Sequence, residues 1–551
     1  MKKYKLYSLA AAAALTLGMT SCGEDFLTEE PASSVSIDGY YTTDARIMES
    51  AVAAYDPMHW YDYFSGWCPI NLMWDIQADD MYAGGSNKDD QGYLYLISRY
   101  DSDPNNTIGG FWSANYSGIN RSIRLIDNAT ASDLPEADKN LYIAEGRALR
   151  AWYYLCLWKT WGNIPFYMEN LTFPYIAEQK SADEVYEAIV TDLEGVIDMN
   201  ILPMKQPGEW AGRMTQAAVY MMYAELVMYQ KDQTRYQKAL NYMKEIINST
   251  QYDLVDGADY DQLFSYTTEW TKEIILDINY ASKGSSRDWG SANAPGGTVF
   301  PTMIGVAGLN YNGTNIGTID GPYAEFSIGG YGFGTVSKEA YDAFEEGDLR
   351  RDVAILNIYK YIEDMAARGI KVTYAGRFQN TGYFLRKYLG RPGGNEGATA
   401  STDLGWDNNL HIYRFAETLL NAAELGLALG DADAQHYFDR VCTRAGLATK
   451  PLTIDNLIDE RRVEFVGEGK RYFDLVRTDK AATVLTEGGG VILQSGGALN
   501  ETTGLQDTDN MVWGGQAIDD RPNWTANKKY LPIPQSEIEA AQGTITQNEY
   551  W

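Results

Sequence analysis

Histidine is scarce in this sequence, three among 551 residues, and cysteine is nearly as rare, with four. His59, His411 and His436 stand far apart, and no HExxH, Cys-pair zinc spacing or G-x-S-x-G elbow occurs. "GGSNKDD" (residues 84–90) lacks the Gly-Lys-Ser/Thr ending of a phosphate loop. Cys22, Cys68, Cys156 and Cys442 make neither a disulfide framework nor a metal site, and Cys156 and Cys442 fall in apolar helical stretches as small core residues. Positive charge is also in short supply. Against 75 Asp and Glu there are 45 Lys and Arg, a formal net charge of −30. With no basic stripe, nucleic acid is excluded as a partner, because phosphate binding needs clustered cations. An anionic surface suits an uncharged ligand. Long hydrophobic runs are missing as well: "LAAAAALTLG" is too short to span a bilayer.

That short run has the length of a signal-peptide core, and Lys2, Lys3 and Lys5 precede it. It leads into "MTSC", which resembles a bacterial lipoprotein box with Met19 where Leu is usual. Cleavage would remove residues 1–21 and leave Cys22 as the lipidated first residue. Three lysines and no acid would go, taking the formal charge from −30 to −33. "GEDFLTEEP" then reads as an extended tether.

The 551-residue chain has a globular composition, 45% hydrophobic and 22% charged, and its mature part is 22–551. It can bury a large core. Helical periodicity dominates. Leu141, Ala144, Ala148, Trp152, Leu155 and Trp158 recur at steps of three and four up to Gly162. Tyr413, Ala416, Leu420, Ala423 and Leu427 do the same up to Gly430, and Asp433 is placed to cap a following helix that ends at Gly446. The small and aromatic positions Ala422, Ala434 and Phe438 resemble a tetratricopeptide hairpin, in which small residues let two helices approach. Ala217–Tyr229 and "YQKALNYMKEIIN" form a second pair. Trp112, Trp152, Trp158 and Trp161 lie in or beside apolar helices and are assigned to the core.

Residues 284–334 are different: rich in Gly, Asn and Pro, without helical period, yet carrying Trp289, Phe300, Tyr311, Tyr323 and Tyr331. So many anchors argue for ordered loops on the scaffold. Residues 390–405 and 488–515 read as further excursions. The acidic segment "WDIQADDMYAGGSNKDD", Trp74 to Asp90, lacks the EF-hand spacing for calcium. Asp79, Asp80, Tyr82 and Asn87 could hydrogen-bond sugar hydroxyls there; otherwise it is a solvated loop. "LIDERRVEFVGEGKRYFDLVR", Leu457 to Arg477, looks chemical but has no histidine, nucleophile or metal partner nearby. Arg461 with Glu464, and Arg471 with Asp474, are spaced as helical ion pairs worth a few tenths of a kcal/mol. The run is read as structural. A glycosidase would need two carboxylates across a cleft, which no local motif signals.

"DERRVEFVGEGKRYFDLVR", "AEGRALRAWYYLCLWKTWGNIPF", "RFAETLLNAAELGLALGDADAQHYFDRVCTRAGL" and the ending "YLPIPQSEI…ITQNEYW" together resemble the SusD/RagB family of outer-membrane glycan-binding lipoproteins. The resemblance runs in family order from Cys22 to Trp551. It implies a mainly α fold, about four tetratricopeptide-like helix pairs with irregular loops and a few short strands. It implies one domain in two parts, 22–230 and 231–551, with the ligand face near 284–334. It also implies cell-surface attachment through Cys22, a SusC-like TonB-dependent transporter as partner, and binding without hydrolysis; the residues themselves signal no cofactor and no metal site. Oligosaccharide is the expected ligand; peptides or glycopeptides are the alternative. Trp67–Asn87 and Arg287–Tyr331 correspond to the family's ligand face. Within them Trp74, Tyr82 and Trp289 are candidate stacking platforms, and Asp79, Asp80, Asn87 and Arg287 candidate hydrogen-bonding partners.

Overall fold

The computed structural model describes residues 37–62, 69–289, 296–312, 326, 330–486, 491–492, 516–517 and 521–551. It is mainly helical. The helices used below are α1 (Asp44–Tyr55), α2 (Ile70–Asp75), α3 (Gly109–Ala131), α4 (Glu136–Trp161), α5 (Ala182–Met199) and α6 (Gln216–Gln230). They continue with α7 (Tyr236–Asn248), α8 (Phe415–Leu429), α9 (Ala434–Arg444), α10 (Ile454–Glu464) and α11 (Arg471–Arg477).

Local chemistry sets their ends. Helix α4 follows Pro135, carries Glu136 and Asp138 against its N-terminal dipole, and stops at Gly162, whose φ is +71°. Ser181 and Glu184 form a reciprocal capping box on α5, and the Thr215 hydroxyl accepts from the Ala218 amide to cap α6. Asp433 stands before α9 but makes no capping bond; the Asp431 carboxylate accepts from its amide instead. Helix α6 is buried almost all round, so it is central, whereas α7 turns only Ala239, Leu240, Tyr242, Met243 and Ile246 inward. Trp112, Trp152, Trp158 and Trp161 are core residues, as are Cys156 and Cys442.

From α3 to α9 each helix packs on the next, the one-dimensional stacking of a tetratricopeptide-like solenoid. Neighbours α7 and α8 are separated in sequence by residues 249–414, so this long excursion leaves the stack and returns to it. Strands close its base. β2 (Ile274–Ile278) and β6 (Leu410–Arg414) pair antiparallel, Ile274 opposite Arg414 and Ile278 opposite Leu410. Tyr413 thus lies on a strand and α8 begins at Phe415, two residues later than helical periodicity places it. The apolar period continues through the strand because both elements are buried, and the period alone cannot find the switch.

A second sheet ties the excursion to the N-terminal half. β1 (Met81–Gly84), β3 (Phe333–Val336), β4 (Ile355–Asn357) and β5 (Tyr383–Leu385) form an antiparallel sheet in the order β1-β3-β5-β4, with Met81 opposite Val336 and Gly84 opposite Phe333.

The charged run Leu457–Arg477 is structural, but its ion pairs are not the expected ones. Gly467 and Gly469, at φ +79° and +72°, break it into α10 and α11. Arg461 reaches across to Asp474 at 2.8 Å and Glu417 at 3.4 Å, and Arg471 grips Asp79 with both nitrogens of a fork at 2.9 and 3.0 Å. Glu464 pairs with Arg350, Arg414 and Arg444 at 2.5–2.9 Å, and Glu468 with Arg414 and Lys387 at 2.7 Å. Burial pushes the Glu468 carboxyl up, but Arg414 and Lys387 outweigh it and hold it at about 2, against an ordinary 4.5. A folded-state value below the unfolded one gives stability that is complete above about pH 4.5 and is lost as pH falls toward about 2. Acid titration followed by circular dichroism should therefore show the wild type losing stability across that window. A Glu468→Gln variant, less stable at neutral pH, should show a smaller loss there; an unchanged acid slope would count against this assignment.

Candidate glycan-binding face

Two of the loops singled out by sequence do meet. Gly84 leaves β1 at φ +70°, where an added Cβ would lie 2.3 Å from the Gly332 carbonyl oxygen, so only glycine permits this approach. The Gly85 amide then donates to that oxygen at 2.9 Å, and the Gly85 carbonyl accepts from Phe378 at 3.2 Å. Loop 84–90 closes on itself: the Ser86 amide and hydroxyl both donate to Asp90 Oδ2 at 2.8 Å, and Asn87 Oδ1 accepts from the Asp89 amide at 2.8 Å. Asn87 is exposed on it.

Beside this junction, Trp289 is 50% exposed, with the Tyr331 ring 6.3 Å away at an interplanar angle of 44°. Arg377 Nη1 donates to the Tyr331 carbonyl at 3.2 Å and is itself exposed. Burial, with a smaller effect from Asp403, raises the Tyr331 phenol above its ordinary range, so at neutral pH it is a neutral donor and acceptor. Two aromatic rings and a guanidinium can together stack on the C–H face of a sugar and bond its hydroxyls, with exposed Asn87 on the adjoining loop. Tyr331 is among the loop aromatics visible in sequence; Arg377 carried no signal, because only the Tyr331 carbonyl brings it here.

The other candidates are elsewhere. Trp74 is a core residue. Every residue of α2 is buried, and the indole sits edge-on to Phe473 at 5.2 Å with the Lys159 ammonium 4.2 Å from its centroid. No sugar ring can reach it. Asp79 and Asp80 are occupied by Arg471 and Arg462, the latter 2.6 Å from Asp80 Oδ1. Burial raises the Asp80 carboxyl against those cations, whereas for Asp79 the arginines prevail and lower it. Tyr82 is 2% exposed on β1, next to the Arg521 guanidinium. Arg287 is also 2% exposed; it is 3.2 Å from both Asp62 oxygens and donates to the Gly297 carbonyl at 2.7 Å. These five residues hold the loops in place from beneath. Of the seven, Asn87 and Trp289 are on the surface. Trp67 and Cys22 lie outside the described residues.

Among the described residues, no group of three or more His, Cys, Asp or Glu is placed to hold a metal, and no helix is long and apolar enough to cross a membrane. The SusD family model matches residues 272–551, and a second model, described as starch-binding and associating with the outer membrane, matches 85–244. The chain belongs to the SusD family. Its structure is similar to surface glycan-binding protein A from Bacteroides thetaiotaomicron, solved with laminarihexaose. The two share 42% identity and a TM-score of 0.80, over 92% of this chain and 100% of that one. The counterpart from Bacteroides fluxus shares 36% identity at a TM-score of 0.78, over 93% and 100%. A SusD-like protein of Bacteroides ovatus is 25% identical, over 97% of this chain and 96% of its own.

Proposed function

We propose that this SusD-family protein is a non-catalytic receptor that binds a neutral oligosaccharide on the Trp289–Tyr331–Arg377–Asn87 face. The observation that carries the reading is the laminarihexaose complex of a relative 42% identical over 92% of this chain. The net charge of −30 supports it, since an anionic surface repels acidic glycans and leaves neutral ones unaffected. Laminarihexaose is therefore the first ligand to test, by calorimetry against maltohexaose and a peptide library. Saturable binding of laminarihexaose without release of new reducing ends is expected. Hydrolysis would mean an enzyme, and binding confined to peptides would replace the glycan by the alternative cargo.

Two further parts of the reading concern place and partner. Cys22 is the anchor to the outer membrane, exposing the protein at the cell surface, and a SusC-like TonB-dependent transporter receives the ligand. The support is the N-terminal charge, apolar and small-residue order, together with family membership. Cys22→Ser should move the protein from the membrane to the soluble fraction; continued tight membrane association would reject the anchor. Pull-down of the tagged protein from detergent-solubilised outer membranes should recover a large β-barrel protein, and its absence would count against the partner.

A further inference from the structure

We propose that a cavity beside the first turns of α3 is a second carbohydrate subsite, sized for one or two neutral pyranose rings; this rests on the receptor reading above. The cavity, of about 370 Å³, lies between the first turns of α3, the stretch after α4 and the C-terminal helix Gln535–Ala540. No residue of the Trp289 face lines it.

Its walls are aromatic and fixed before any ligand arrives. Trp112 and Tyr116 project from α3 with their ring centroids 4.9 Å apart, and Tyr116 and Tyr167 lie nearly parallel at 6.3 Å and 19°. The Tyr116 hydroxyl donates to the Pro165 carbonyl at 2.8 Å, and the Tyr154 hydroxyl bonds both the amide and the carbonyl of Tyr167 at 2.9 and 2.7 Å. At the mouth, Tyr175 is 68% exposed and held at φ +62°, a backbone conformation that bulky residues rarely adopt. Half-buried Tyr116 and Tyr167 and exposed Tyr175 offer the flat apolar faces, the first two at little ordering cost on binding, while Trp112, 3% exposed, packs behind Tyr116 and reports on it.

The polar lining narrows the ligand class. Glu537 reaches the cavity, and its carboxylate has no hydrogen-bond or ion-pair partner among the described residues; the side chain of Ser113 stands exposed beside it. No Lys, Arg or His lines the cavity, so a phosphate or a uronic acid would meet only repulsion from Glu537. A neutral sugar ring has an apolar C–H face for the aromatics and hydroxyls that can donate to a carboxylate, matching what the walls present. A second subsite would let one receptor hold a long glycan at two points, raising its apparent affinity without a new contact at either.

Fluorine NMR of the full mature protein labelled with 5-fluorotryptophan reads both sites at once, the Trp112 and Trp289 resonances being assigned by Trp→Phe at each. With laminarihexaose, maltohexaose and cellohexaose as probes, the Trp112 resonance should shift saturably with at least one of them. It should still do so in Trp289→Ala. In Tyr175→Ala and Glu537→Gln, whose surface positions spare the fold, its dissociation constant should weaken at least about tenfold while the Trp289 response is kept. A static Trp112 resonance at millimolar glycan, with Trp289 responding, overturns the subsite and leaves the receptor reading intact. A response at Trp112 alone supports the subsite and removes the Trp289 face; silence at both rejects both. A Trp112 resonance moved only by a purified transporter barrel would make this a protein contact and overturn the proposal.

Discussion

Glu464→Gln should lose about 3–5 kcal/mol of stability in urea or guanidinium melts, the cost of breaking a buried ion pair by removing one partner. The site explains the size. Glu464, fully buried at the end of α10, faces three guanidiniums: Arg350 at 2.8 Å, Arg414 at 2.9 Å and Arg444 at 2.5 Å. Around it the carboxylates of Asp348, Glu273, Glu460 and Glu468 and the ammonium groups of Lys387 and Lys450 complete a cluster in which five acids meet five cations. Glutamine keeps the shape and removes one charge, so three buried arginines are left with an unbalanced cation that cannot reach water. Burial alone would raise the Glu464 carboxyl; Arg444, Arg414 and Arg350 instead hold it well below its ordinary range, which marks the charge as integral. The cluster joins α9 and α10 to Arg414 of β6 and to Glu273, just before β2, at the base of the excursion, so the loss should appear as one cooperative transition at a lower midpoint. A loss under about 1 kcal/mol would place this cluster among surface pairs of little worth.

That cluster also shows where sequence reading stops. The run Leu457–Arg477 reads as structural because no nucleophile, histidine or metal partner accompanies it, and it is. Its partners could not be read, since Arg350 and Arg414 lie 114 and 50 residues from Glu464 and only the folded excursion brings them in. The same holds for loops. Helix α7 is legible to the residue from its 3.6 period, because its burial is a local property of one face. For Asp79, Asp80 and Arg287, polarity in a Gly-rich segment suggests a surface, yet each is consumed by an opposite charge supplied from afar. Polarity in a loop records the need for a partner and leaves open whether that partner is a ligand or another part of the chain.

Trp74 and Trp289 are alike in sequence, each in a segment without helical period, and their alanine variants should fail in opposite ways. Trp289→Ala should leave the melting temperature within a degree or two, because half of the side chain is already in water. It should weaken the bound oligosaccharide by about 2 kcal/mol, roughly thirtyfold in dissociation constant, as expected when a central aromatic anchor is removed. Tyr331 remains beside it, so Trp289→Phe should restore part of the affinity through the surviving stacking face, which a purely structural role would not do. Trp74→Ala should instead open a cavity among Phe111, Phe473 and the Lys159 ammonium and cost about 3–5 kcal/mol of stability, with affinity per folded molecule unchanged. Calorimetry and thermal melts on the two variants separate the cases. If Trp289→Ala binds laminarihexaose like the parent while the parent's binding is saturable, the platform is on another surface and the loop face has been misassigned; the glycan reading itself would stand on the parent's binding alone.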